Sequence, residues 1–128
     1  MRTPIIFLSC LLASLSVLVS CGSHHDTLRL DISLRNDTAT PLDWVELKWD
    51  GPYVPGGILS PGIVSTSVDV SPPKSDVATI TFVEKTSRKQ HKITLDVSGF
   101  KSLHSGKYDA VLAITSLDGA NLIIHAEQ

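Results

Sequence analysis

Leu28-Arg29-Leu30-Asp31-Ile32-Ser33-Leu34-Arg35 alternates without a break, aliphatic at every even position and polar at every odd one. A period of two places the aliphatic side chains on one face of an extended chain and the polar ones on the other. That is the signature of a half-buried strand with one face on a core and one in water. The residues that follow, Asn36-Asp37-Thr38, are turn formers, because short polar side chains bond to their own backbone.

The same period recurs along the chain. Val45, Leu47 and Trp49 form a second inward set, and Val64, Thr66, Val68 and Val70 a third. Ala78, Ile80 and Phe82 follow Pro72-Pro73, then come Ile93, Leu95 and Val97. Tyr108, Ala110, Leu112 and Ile114 come next, and after the Asp118-Gly119 turn Leu122, Ile124 and Ala126. About seven short strands separated by turn signals predict an all-β domain of antiparallel strands, a sandwich or barrel. No window has helical periodicity and no internal repeat occurs, so solenoids and propellers are excluded.

The first twenty residues do not belong to this pattern. Met1-Arg2 gives a positive start, and Ile5 to Val19 is an apolar run broken only by Ser9, Cys10, Ser14 and Ser16. Such a run is shorter than the roughly 20 residues a spanning helix needs, and it predicts a cleaved export signal over residues 1–20. Its end, Leu18-Val19-Ser20-Cys21, resembles the bacterial lipobox, in which the cysteine is diacylated before cleavage. The resemblance implies a lipid on Cys21, a tether over residues 21–26 and one folded domain over residues 27–128. Gly22, standing where an aspartate commonly retains lipoproteins at the inner membrane, implies the outer membrane, periplasmic side. Two acyl chains hold a protein stably where one does not. At no more than about 3.6 Å per residue, the tether keeps the domain on the order of 20 Å from the lipid.

Cysteine usage agrees with this reading. Only Cys10 and Cys21 exist, and cleavage after Ser20 leaves Cys21 alone, with no intrachain disulfide to form. The charge is mixed, 11 Lys and Arg against 13 Asp and Glu, without the basic stripe that nucleic acid requires.

A second resemblance lies further along. Leu95, Val97 and Phe100, followed by Ser105-Gly106-Lys107-Tyr108-Asp109-Ala110, are similar to the corner between strands E and F of immunoglobulin-like domains. There a tyrosine bonds back to the corner backbone. Gly106 and Tyr108 fit this pattern, and Ala110 replaces the family's cysteine, as in fibronectin type III modules. The resemblance implies an immunoglobulin-like sandwich, with a transthyretin-like sandwich as the alternative. It implies no activity.

A search for chemistry finds no catalytic set. There is no Gly-x-Ser-x-Gly elbow, and Gly56-Gly57 lacks the spacing of a phosphate loop. His24 and His25 are adjacent on the tether and point opposite ways, while His91, His104 and His125 are scattered, so neither metal nor cofactor is expected. The segment from Asp50 to Gly62, rich in Gly and Pro around Tyr53, Val54, Ile58 and Leu59, reads as a long loop of the kind that binds. Trp44 falls out of phase with Val45 and Leu47 and is expected on the polar side. Trp44, Tyr53 and Val54 are therefore the candidate partner surface, since exposed aromatics anchor interfaces. The expectation is a non-catalytic protein-binding module whose partner is another envelope protein. The alternative is a module for a small ligand, glycan or metal.

Overall fold

A computed structural model describes residues 27–50 and 53–127. The leader, Cys21 and its lipobox neighbours Leu18, Val19 and Ser20 lie outside these residues. The strands in chain order are β1 (Leu28–Asn36), β2 (Leu42–Lys48), β3 (Val54–Leu59), β4 (Val64–Val70), β5 (Val77–Glu84) and β6 (Gln90–Asp96). A 3-10 turn (Ser98–Ser102) precedes β7 (Gly106–Ser116) and β8 (Gly119–Ala126). They form two four-stranded sheets, ordered β4-β1-β7-β8 and β3-β2-β5-β6. Among the described residues no helix is long and apolar enough to cross a membrane.

The all-β sandwich read from the alternation is present, and three of its details differ from expectation. First, there are eight strands, because Val54–Leu59 pairs with β2 and is not a loop. Second, β1 and β7 run parallel, so the first sheet is mixed. Third, β1 and β2 lie in opposite sheets. In the constant-type immunoglobulin order the first two strands share a sheet.

The core is the set of inward positions that the period of two defines. Leu30, Ile32 and Leu34 of β1, Leu42, Val45 and Leu47 of β2, Ile80 and Phe82 of β5, and Leu112 and Ile114 of β7 are all buried. Each such side chain contributes about 1.5–3 kcal/mol when fully removed from water. Trp49 closes one end of the core, edge-on against Phe100 at 5.5 Å between ring centroids.

β4 reverses its expected phase. Val70 pairs with Leu30, but Ile32 pairs with Ser67 and Leu34 with Ser65, so one extra residue is inserted between these pairs. The bulge falls where Asp69 takes a left-handed backbone, φ 52°, and its carboxylate is held by Arg29 at 2.9 Å. Counting back from Val70 by twos crosses this bulge. Ser65 and Ser67 therefore face inward, while Val64, Thr66 and Val68 are exposed.

The strand directions give the sandwich two ends. The chain enters at Leu28, and the nine residues of β1 carry it about 30 Å to Asn36. Segments 37–41, 60–63, 85–89 and 117–118 cluster at this distal end. The distal corner is tied by Asn36, which is fully buried. Its Nδ2 donates to the carbonyls of Thr40 (2.8 Å) and Leu59 (2.9 Å). Its Oδ1 accepts from the backbone N–H (2.9 Å) and hydroxyl (2.6 Å) of Thr38. The Asn36 backbone also bonds to Ile63 and Gly62, so one side chain and its peptide join β1, the turn before β2, the end of β3 and the turn before β4.

Candidate functional site

Between the inward residues Leu42 and Val45 of β2 lie two residues where strict alternation allows one, and the pairing slips on both sides of this point. The bulge is closed by Trp44 in the left-handed region at φ 55°, a conformation that costs a bulky residue on the order of 1–2 kcal/mol. It turns the indole out, leaving Trp44 67% exposed, while Asp43 beneath is buried.

β3 supplies the facing wall. The Gly56-Gly57 pair serves two needs. At Gly56 a Cβ would stand 2.9 Å from Leu34 Cδ1 and 3.2 Å from Val45 Cβ, so close packing over the core demands glycine. At Gly57 the surroundings are open, but φ is +71°, which glycine adopts without strain. The turn there presents Ile58 outward at 68% exposure. Asp43, Trp44, Gly57 and Ile58 together line a cleft of about 360 Å3.

The third element is the turn between β5 and β6, Lys85-Thr86-Ser87-Arg88-Lys89. Arg88 is again left-handed, φ 61°, and its Nη1 donates to Asp43 Oδ2 at 3.1 Å. Asp43 Oδ1 is buried and has no hydrogen-bond partner. The Lys85 N–H also bonds to the Pro41 carbonyl at 3.1 Å, so the basic turn is fastened to both flanks of the cleft wall. An acceptor held out of water without a donor is costly, on the order of 1–3 kcal/mol.

The residues singled out in sequence fall in different places. Trp44 lines the distal cleft. Tyr53 is 55% exposed at the other end of the same strand pair. Six residues of β3 separate it from Leu59, about 20 Å. Its phenol is raised from the ordinary tyrosine value by partial desolvation, then by a hydrogen bond to Glu46 and by that carboxylate's charge. Val54 is not surface at all: it is 1% exposed, packed in the core opposite Leu47. Ile58 and Asp43 were missed as cleft residues.

Tyr108 lies at the start of β7, partly buried against the core and paired with Leu30 and Ala126. Its hydroxyl makes no hydrogen bond among the described residues, so the bond that defines a tyrosine corner is lacking. Gly106, at φ 128°, bonds instead to the Thr27 carbonyl at 3.2 Å, where the chain joins β1.

The histidines do not converge. His91 is half-covered, stacked on Phe82 and 2.6 Å from Glu84 Oε1, while His104 is exposed in the turn before β7 and His125 on β8. Among the described residues, one group of acidic side chains lies close enough to share an ion: Asp31, Asp109 and Glu127. Lys107 already stands among them, 3.6 Å from Asp31 and from Glu127, and the neighbouring carboxylates raise its pKa.

No family model matches this chain, and no curated protein matches it. Ten solved chains resemble it. One is the NMR structure of a protein from Eubacterium rectale, 15% identical, covering 78% of this chain and 91% of its own, with a TM-score of 0.45.

Proposed function

We propose that this chain is a lipoprotein of the bacterial outer membrane, anchored through Cys21, whose sandwich is a non-catalytic module binding another envelope protein on the periplasmic side. The observation that supports it best is the distal cleft. Exposed Trp44 and Ile58 stand on either side of it, and the buried Asp43 Oδ1 in its wall has no donor. Rigid aromatic and aliphatic side chains around a partly desolvated polar group are the composition of interface centres. Left-handed backbone at Trp44 and Arg88 lies at and beside the cleft, and backbone strain clusters at binding sites.

The position is also apt. A lipid on Cys21 would hold the proximal end, at Leu28, near its membrane. The cleft would then project roughly 30 Å further out, beyond the reach of the anchoring leaflet. A partner in the periplasmic space meets that end first.

The test has two arms in living cells. Radiolabelled palmitate is incorporated into the wild-type protein and not into Cys21→Ser. A photo-crosslinking amino acid at position 58 gives a discrete protein adduct, while the same probe at Ser33, on the outer face of the other sheet, gives none. Unlabelled protein, or equal behaviour of the two probe sites, contradicts the proposal.

A further inference from the structure

We propose that the distal cleft receives an apolar side chain carried on an acidic segment of the partner protein. This rests on the protein-binding reading above and names the chemistry of what is bound. The cleft floor and walls are mainly apolar, Trp44, Gly57 and Ile58, and the volume of about 360 Å3 suits one large side chain. The turn attached beside the cleft is basic. Lys85, Arg88 and Lys89 stand in a five-residue turn, and the turn is fastened to the cleft by the Arg88–Asp43 ion pair and the Lys85–Pro41 backbone bond.

Lys85 and Lys89 have no ion-pair partner among the described residues, so their charge is open to a partner. Most other basic groups of the fold are paired, Lys74 and Lys92 excepted. Arg29, Arg35, Lys48, Lys101 and Lys107 each stand within 4.0 Å of a carboxylate of the same chain. The acid at the cleft itself, Asp43, is paired on Oδ2 with Arg88, and its Oδ1 is buried. Carboxylates flanking the inserted side chain then meet the lysines, an arrangement that speeds docking and weakens with salt. A free ammonium in the cleft would face the three basic groups of the turn, and the chain's own tether, starting at the opposite end, is too short to return to it.

The experiment uses the full lipoprotein in detergent and two fluorescent hexapeptides. One has Leu-Phe flanked on each side by two glutamates, and in the other lysines replace the glutamates. Anisotropy is expected to show saturable binding of the acidic peptide alone, with affinity falling about tenfold between about 50 and 500 mM salt. Trp44→Ala abolishes it. Lys85→Glu combined with Lys89→Glu, both on an exposed turn, weakens it at least about tenfold without changing the thermal midpoint. Equal binding of the two peptides, or no binding of either, overturns the inference. Preference for anionic vesicles over the acidic peptide also overturns it, by showing a lipid surface as the occupant. An adduct from position 58 in cells, together with no preference for acid, leaves the protein-binding reading standing and removes only this refinement. Absence of that adduct removes both.

Discussion

Two buried polar side chains at the distal end, seven residues apart in sequence, are treated in opposite ways. Asn36 has all of its side-chain bonding capacity used, with two donations and two acceptances inside a corner where four segments meet. Asp43 has one oxygen paired with Arg88, itself 63% exposed, and the other with nothing. A satisfied polar group in a core fixes one arrangement of the chain, whereas a half-satisfied one costs stability and calls for a reason outside the fold. The fold alone accounts for Asn36; it leaves Asp43 Oδ1, like Trp49 Nε1, without a partner, and the proposed function places Asp43 at a site.

The largest test of this contrast is Asn36→Ala. It strands the Thr40 and Leu59 carbonyls in a closed corner and is expected to lower the free energy of unfolding by about 3 kcal/mol, measured by urea denaturation. Folded Asn36→Ala protein should still crosslink from position 58. Next in size, Val54→Ala should cost about 2 kcal/mol as a core truncation, while Tyr53→Ala one residue earlier stays within about 0.5 kcal/mol. Equal costs at the two positions would remove the distinction between the buried and exposed faces of β3.

Trp44→Gly sharpens the comparison in the other direction. It relieves the left-handed strain at φ 55° while removing a side chain that is two-thirds exposed, so urea unfolding should show a gain of about 1 kcal/mol. The smallest effect concerns Tyr53. Its folded pKa is raised, so the neutral phenol favours the folded state; that contribution is complete below the unfolded tyrosine pKa of about 10 and is lost as pH rises through the folded value. In Glu46→Gln, absorbance titration of the phenol should move its midpoint down toward the ordinary range, because the anionic acceptor is gone and only desolvation remains.

Much of the sandwich was legible in the alternation, because inward and outward positions follow a period of two wherever pairing is regular. It failed where that regularity fails. The bulge at Asp69 reversed the phase of Val64, Thr66 and Val68, and nothing local in Val64–Val70 marks it. Pro55, Gly56 and Gly57 are turn residues and predict a loop, but β3 is an edge strand, where proline is tolerated and glycine permits close approach. The outward turn of Trp44 was readable from its break in phase with Val45. That it shares a cleft with Ile58, and that Arg88 reaches the neighbouring Asp43, was not, since these depend on how β2 pairs with β3 and on a turn residue 45 positions from Asp43. Burial of Asp43 is likewise a product of tertiary register.

The contrast between the two corners rests finally on whether Trp44 is kept for binding or for packing, and one measurement separates these: the yield of the position-58 adduct in cells, wild type against Trp44→Gly, at equal amounts of folded protein. A binding cleft predicts that the adduct disappears from Trp44→Gly while the protein remains at least as stable as wild type. An undiminished adduct in Trp44→Gly would contradict it, and would return Trp44 to the role of a side chain covering its own strand.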